Sequence, residues 1–168
     1  MKDANYPDLA DDESLVDLRC SVVVVHRDQF LLIDRGERND DWVLPGGRPR
    51  AGESMAACTR REAFEETGLH VDPARCAFVG EVIDPTTRGR TVELVFLATL
   101  ERDDRLTPTA GEPGHRPAWV TRDELRTLRL RPPIAGFLPD LVRGTRDTAP
   151  YLGNLWRPGQ RGQAAAEG

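Results

Sequence analysis

Three glutamates, Glu62, Glu65 and Glu66, lie within five consecutive positions of one segment. In a helix, this i, i+3, i+4 spacing places their carboxylates within about a 100° arc. Like charges that close repel one another, and acids near a helix C-terminus oppose its dipole by roughly 0.3–1 kcal/mol each. A hard divalent cation such as Mg²⁺ offsets that repulsion, because it prefers carboxylate and phosphate oxygens. On the acids alone, a solvated face paired with Arg60 and Arg61 is the favoured alternative.

The segment before these acids supplies a second indication of a ligand. Pro45-Gly46-Gly47 is followed by Gly52-Glu53 and then by the acidic segment. Glycines allow a backbone to approach a ligand closely, because they carry no side chain. The loop and the acids together favour a metal site that binds an anionic substrate.

This stretch resembles the Nudix box position by position. The box is Gly, five residues, Glu, seven residues, Arg-Glu, an aliphatic residue, any residue, Glu-Glu, any residue, Gly and an aliphatic residue. The one soft departure is an alanine where a bulkier aliphatic residue is usual, and it does not affect the acids. The matching residues are Gly47, Glu53, Arg61, Glu62, Ala63, Glu65, Glu66, Gly68 and Leu69.

The resemblance implies roles for the box residues. Glu65 and Glu66 are expected to bind Mg²⁺, with Mn²⁺ as a substitute, and Glu62 is either a third ligand or the base that deprotonates the attacking water. Glu53 and Arg61 are expected to orient the acids. A backbone carbonyl at Gly46 or Gly47 is expected to complete the metal shell, and both glycines also contribute to substrate binding.

Other candidate residues lie outside the box. Family members often recruit a further acid from a later loop, and Glu112 is the candidate here, although an ordinary loop acid before Pro113 is an equal alternative. Trp42 and Arg35 are candidates for substrate binding. Arg19 and His26 also lie where a base or a phosphate could be contacted, while His26 and Trp42 equally fit ordinary strand-end and core positions.

The resemblance implies a pyrophosphohydrolase that cuts a diphosphate linkage in a nucleoside diphosphate derivative. Pro85 stands sixteen residues after Leu69, as in ADP-ribose-cleaving members, although a simple turn proline explains it equally well. One alternative is a hydrolase of oxidised or non-standard nucleoside triphosphates. Another is a non-catalytic nucleotide-binding regulator, which the intact set of box acids disfavours.

The surrounding pattern predicts the elements that position these residues. Val22 to Val25 indicate a strand buried on both faces, and the nearly apolar stretch Thr91 to Leu100 indicates a central one. Ser54 is a good N-cap and Gly68 a good left-handed end for a helix between them. The full set of predicted elements is strands 18–26, 29–34, 42–44, 76–83, 91–100 and 118–120, a helix over 55–67, a helix capped at Thr121, and a last helix over 134–143.

On the helix over 55–67, a second group of side chains lies opposite the acids. A helical wheel places this group within an arc of about 120°, and we expect it to face the core. Arg60 falls inside the same arc. The members of this apolar group are Ala56, Ala57, Ala63 and Phe64.

These elements fit an α/β protein with the Nudix fold, an α/β/α sandwich around a mixed sheet. The 168 residues are expected to form a flexible arm over 1–16, one domain over 17–156 and a disordered tail over 157–168. The resemblance also gives a homodimer as the expected assembly.

Composition indicates which partners and which cellular location to expect. The formal net charge of −5 disfavours binding to long nucleic acid, because phosphate neutralisation needs a basic face. No purely apolar run is longer than five residues, so no membrane span is expected, and the polar start favours a cytoplasmic protein. Three cysteines without metal-ligand spacing indicate reduced, buried thiols. Lys2 is the only lysine, which is typical of a GC-rich bacterial genome.

Overall fold

The computed structural model describes residues 16–36, 39–86, 88–101, 107–109, 113–142 and 151–157. Within these ranges the chain forms nine strands and three helices. Their bounds are β1 Val16–His26, β2 Gln29–Asp34, β3 Trp42–Val43, β4 Gly46–Gly47, α1 Met55–Thr67, β5 Val71–Ile83, β6 Arg90–Leu100, β7 Arg116–Thr121, α2 Arg122–Leu125, β8 Leu130–Arg131, α3 Leu138–Val142 and β9 Tyr151–Asn154.

The strands form one mixed sheet in the order β8-β3-β2-β1-β6-β5-β9, with β4 paired to β1 and β7 paired to β2. β1 runs parallel to β6, and Val16 to Val24 pair with Arg90 to Ala98. β6 therefore lies between β1 and β5, which confirms the central position that its apolar sequence predicts. The predicted hairpin between β1 and β2 is also present, with Arg27 and Asp28 at positive φ in its turn.

The sheet is covered on both faces, as the predicted sandwich requires. Alternate residues of β1 point to opposite sides, so Val22 and Val24 pack with Ala63 of α1, while Val23 packs with Leu125 of α2 and Leu138 of α3. The fold is an α/β fold with α1 against one face and α2 and α3 against the other. Within the described ranges, no helix has both the length and the apolar character that a membrane crossing needs.

The buried face of α1 differs from the prediction. The buried residues of the helix are Cys58, Thr59, Ala63, Glu66 and Thr67, whereas Phe64 is 47% exposed. The helix is rotated relative to its apolar pattern because Glu66 finds a buried hydrogen-bond donor and so can point inward. Phe64 instead stacks on His70 at the surface.

Arg60 lies outside this buried face. Its guanidinium forms an exposed ion pair with Asp72 of β5, at 2.5 Å between Nη2 and Oδ1. The place of Arg60 inside the predicted apolar arc therefore has a simple explanation, because that part of the arc faces solvent.

Several elements depart from their predicted bounds. β5 begins at Val71 instead of residue 76. The prediction missed these first residues because Asp72 and Pro73 disfavour a strand locally, although both pair with β6 beside a register irregularity. The last helix begins at Leu138 because residues 134–137 form a turn closed by the Phe137 N–H and the Ile134 carbonyl. β4, β8 and β9 were not predicted, because two to four residues carry too short a pattern to detect.

Candidate active site

Both ends of α1 are fixed as the sequence predicts. The Ser54 hydroxyl accepts a hydrogen bond from the Ala57 N–H at 3.2 Å. Gly68 takes the left-handed conformation at φ 71°, and its N–H donates to the Phe64 carbonyl at 2.8 Å. These two caps set the helix register, and with it the heights of Glu62, Glu65 and Glu66 along the axis.

The Gly46–Gly47 segment is a short strand, where the sequence indicates a loop. Gly46 pairs with Ser21 and Gly47 with Cys20 of β1. A Cβ at Gly46 would lie 2.4 Å from the Cys20 carbonyl oxygen and 2.5 Å from Ser21 Oγ. The close approach of two backbones therefore requires glycine at this position.

Gly47 lies directly against Glu62. A Cβ at Gly47 would meet all three atoms of the Glu62 carboxylate, with Cδ at 2.3 Å. The box glycine thus leaves room for the first of the helix acids. Below it, the Cys58 thiol donates to the Gly47 carbonyl at 3.7 Å, and burial raises the pKa of Cys58 to about 12. Cys58 is therefore a neutral thiol. Cys58 and Cys20 are buried as predicted, whereas Cys76 is only partly buried.

Glu66 is the buried member of the acid group. Its side chain points to β4, where the Gly46 N–H donates to Oε2 at 2.7 Å. The residue is 8% exposed, whereas Glu65 lies in the exposed part of the helix. The three acids therefore occupy three environments: Glu66 under the glycine segment, Glu62 against Gly47, and Glu65 toward solvent.

Arg61 ties the acids to the loop before the helix. Its Nε and Nη2 donate to the two oxygens of Glu53, both at 2.8 Å, and its Nη1 donates to Glu62 at 2.5 Å and Glu65 at 3.0 Å. The bidentate pair with Arg61 holds the pKa of Glu53 down at about 2, helped by the Arg50 N–H. The Glu53 carboxylate raises the pKa of Arg61 in turn. Both groups stay ionised at neutral pH, as an orienting pair must.

We expect Arg61→Lys to lower kcat by about 10- to 100-fold with little change in KM, because an ammonium cannot hold Glu53 in two parallel hydrogen bonds while also reaching Glu62. Steady-state kinetics at saturating Mg²⁺ measures this split. Arg60→Lys on the adjacent exposed ion pair is the matched control and should leave both constants unchanged. A raised KM with an intact kcat would instead place Arg61 against the substrate.

The donor set of this region suits a hard divalent cation. Three carboxylates and the Gly47 carbonyl lie around the start of the box and one side of α1, and carboxylate and carbonyl oxygens are the ligands that Mg²⁺ prefers. In the described part of the chain, no three His, Cys, Asp or Glu side chains already converge as a metal-binding group. The carboxylate oxygens of Glu62, Glu65 and Glu66 instead accept hydrogen bonds from Arg61, Arg50 and the Gly46 N–H. Glu112 lies outside the described residues.

The predicted substrate residues Arg35 and Trp42 contact residues other than the helix acids. Arg35 Nη1 is 3.6 Å from Asp41 Oδ1, and the buried Asp41 carboxylate also receives Arg131 at 3.0 Å. Trp42 is partly buried and packs against the core. His26 lies beside Trp119, with ring centroids 5.9 Å apart. Direct substrate contact by Trp42 or Arg35 stays a prediction.

Sequence reasoning missed a buried acid next to the glycine segment. Glu93 of β6 is 4% exposed, accepts a hydrogen bond from Ser21 Oγ, and lies 3.6 Å from Arg19 Nε. Burial raises the pKa of its carboxyl group. The signal was one charged residue inside the otherwise apolar run TVELVFLATL, where an acid is unfavourable unless it has partners.

Comparison with known proteins supports the family resemblance. The NUDIX domain family model matches residues 17–141. A Mycobacterium tuberculosis protein named "Putative 8-oxo-dGTP diphosphatase 2" is 34% identical over 134 residues, covering 77% of this chain and 85% of the relative. The nucleoside triphosphatase NudI of an Enterobacter species is 33% identical over 103 residues, covering 58% and 73%. A NUDIX hydrolase structure from Nitrosomonas europaea superposes with a TM-score of 0.63 at 21% identity, over 77% of this chain and 90% of that one. The chain therefore belongs to the Nudix hydrolases, a family of pyrophosphohydrolases.

Proposed function

We propose that this protein hydrolyses the diphosphate linkage of a nucleoside triphosphate, with Mg²⁺ bound by Glu65, Glu66 and the Gly47 carbonyl and with Glu62 as the general base. The observation that carries the proposal is the packing of the helix acids against the glycine segment. Gly46 holds the Glu66 carboxylate at 2.7 Å, and Gly47 leaves space for that of Glu62. The acids are thus assembled at one backbone segment, where a diphosphate could approach the glycines closely.

The protein's own groups have separate tasks in this reaction. Bound Mg²⁺ supplies charge neutralisation of the diphosphate oxygens, whose negative charge otherwise repels a nucleophile. Gly46 fixes the orientation of Glu66 through its N–H, and the Glu53–Arg61 pair fixes Glu62 and Glu65. Such pre-orientation lowers the barrier because the reacting groups need not reorganise.

The general base is one of the helix acids. Glu62 and Glu65 each receive a hydrogen bond from Arg61, and Glu62 is the less exposed of the two. A carboxylate within reach of the attacking water can accept its proton. We assign this role to Glu62, because its place against Gly47 puts it beside the backbone that would receive the diphosphate.

The names of two relatives support the choice of substrate class. Two relatives above 30% identity have names that specify nucleoside triphosphates, 8-oxo-dGTP in one case. These names favour the triphosphate alternative over the nucleoside diphosphate derivative that the sequence first indicates. The acidic net charge agrees with a small nucleotide as the substrate, since a bound cation provides the positive charge locally.

ADP-ribose is the second candidate, and its support is the spacing of Pro85. Pro85 lies exposed in the turn between β5 and β6. The Asp84 N–H donates to the Gly89 carbonyl at 3.0 Å, and the Asp84 carboxylate accepts a hydrogen bond from the Thr86 N–H. The turn is therefore closed by hydrogen bonds among its own residues. A turn proline explains this position fully, and ADP-ribose therefore ranks below the triphosphates.

A panel of 8-oxo-dGTP, the standard nucleoside triphosphates and ADP-ribose, assayed with Mg²⁺, tests the proposal. We expect pyrophosphate and a nucleoside monophosphate from at least one triphosphate, with a higher kcat/KM than for ADP-ribose. Preferential cleavage of ADP-ribose would restore the first interpretation. Nucleotide binding without turnover of any compound would favour the non-catalytic regulator.

A further inference from the structure

Glu93 is the buried titratable group that the proposed chemistry does not use. It occupies the middle of β6, and both of its contacts involve Oε1: the Ser21 hydroxyl donates to it, and Arg19 Nε lies 3.6 Å away. Neither contact reaches the helix acids directly.

One connection runs from Glu93 through Ser21 to the metal acids. Ser21 pairs with Gly46, and its hydroxyl lies where a Gly46 side chain would stand, 2.5 Å from that Cβ position. The hydrogen bond to Glu93 fixes the Ser21 rotamer beneath the glycine. The Gly46 N–H in turn donates to Glu66 Oε2 at 2.7 Å. A change in the position of the Ser21 hydroxyl can therefore shift the Gly46 backbone and, with it, the Glu66 carboxylate.

A second connection runs through Arg19. Its guanidinium lies beside Glu93 and donates from Nη2 to the Leu44 carbonyl at 3.4 Å. Between these two points, the Val22 N–H donates to the Pro45 carbonyl at 2.9 Å. Glu93 thus supports both ends of the segment Leu44 to Gly46, while a β1 backbone group holds its middle.

Stability alone does not explain this arrangement. Removing an acid from water raises its pKa and costs free energy, and an apolar residue of similar volume usually packs there at least as favourably. A nearby buried position of β6 is occupied by an apolar residue, Val95, which lies in the core. A polar group retained at Glu93 is instead expected where the position of a functional segment matters.

We propose that Glu93 is a positioning residue for the metal site, acting through Ser21 and Arg19 on the Leu44–Gly46 segment that holds Glu66. This inference rests on the proposed Mg²⁺ binding by the helix acids. It predicts that the hydrogen-bonding geometry of residue 93, instead of its charge, controls the affinity for the cation.

Mn²⁺ binding without nucleotide, followed by electron paramagnetic resonance, tests the inference. We expect Glu93→Ala and Ser21→Ala each to weaken Mn²⁺ binding by about 10-fold or more. The double variant should bind Mn²⁺ as tightly as the Glu93→Ala variant does, because Glu93→Ala already removes the hydrogen bond through which Ser21 acts. Glu93→Gln keeps an acceptor for the Ser21 hydroxyl and should bind Mn²⁺ nearly as the parent protein does.

Val95→Ala is the matched control, since it removes buried side-chain volume from the same strand without touching Ser21 or Arg19. It should lower Tm and leave Mn²⁺ affinity unchanged. If the parent protein binds no Mn²⁺, the proposed function fails. If it binds Mn²⁺ and the Glu93 and Ser21 variants bind equally well, the positioning role alone is overturned. A Glu93→Gln variant as weak as Glu93→Ala would also overturn it, since charge would then be the decisive property.

Discussion

Glu66→Gln is expected to lower kcat by about 10³-fold, which corresponds to about 4 kcal/mol of transition-state stabilisation. The amide lacks the negative charge that a hard cation requires from this ligand. Its oxygen can still accept the Gly46 N–H that now bonds Oε2 at 2.7 Å. The variant should therefore fold normally, and the loss should appear in kcat together with a higher Mg²⁺ activation constant.

Asp72→Asn is the matched control for this substitution. It removes one acid beside α1 and breaks an ion pair with Arg60 in which both side chains are about half exposed. Exposed pairs contribute roughly 0–1 kcal/mol, so Tm and kcat should change little. Full activity in Glu66→Gln, measured with circular dichroism as a check on folding, would remove Glu66 from the metal site.

Gly47→Ala is the second substitution with a large expected effect. The added methyl group would overlap the Glu62 carboxylate, with 2.3 Å to Cδ. The clash falls on the side chain that we assign as the general base, and a displacement of about 1 Å in an active site can cost about 100-fold in rate. We expect a fall in kcat of at least about that size, measured under saturating substrate and Mg²⁺.

Gly136→Ala provides the comparison for Gly47→Ala. A Cβ at Gly136 meets no atom within 4 Å, and neither glycine has a positive φ. The same chemical change therefore differs between the two sites in what the methyl group contacts. Equal activity in the two variants would show that Glu62 tolerates displacement and does not act as the base.

The parts of the site that the sequence predicted depend on local patterns. Ser54 and Gly68 mark the ends of α1 through capping preferences that act within a few residues. The resemblance to the Nudix box implies that Glu53 and Arg61 act as a pair, and the structure joins them by two hydrogen bonds. Local sequence therefore predicted the helix and its caps, and the family pattern predicted the ion pair.

The parts that the sequence did not predict depend on partners distant along the chain. The buried direction of Glu66 requires the Gly46 N–H twenty residues earlier, and the buried Glu93 requires Ser21, seventy-two residues earlier. Neither donor can be recognised from helical or strand periodicity. The apolar pattern of α1 therefore predicted the burial of Ala63 but not that of Glu66 or the exposure of Phe64, and the pattern of β6 showed no partner for Glu93.

β9 has a consequence for how molecules of this protein behave toward one another. Tyr151–Asn154 pairs with the outer side of β5, and the Leu155 N–H bonds the Glu81 carbonyl at 2.7 Å. β9 covers the outer side of β5 around Val79 and Glu81, and an uncovered strand edge offers free backbone donors and acceptors to a neighbouring chain. A protein cut after α3 would keep every residue of the Nudix box and yet uncover this part of the edge. We therefore expect β9 to favour colloidal solubility, a property separate from catalysis.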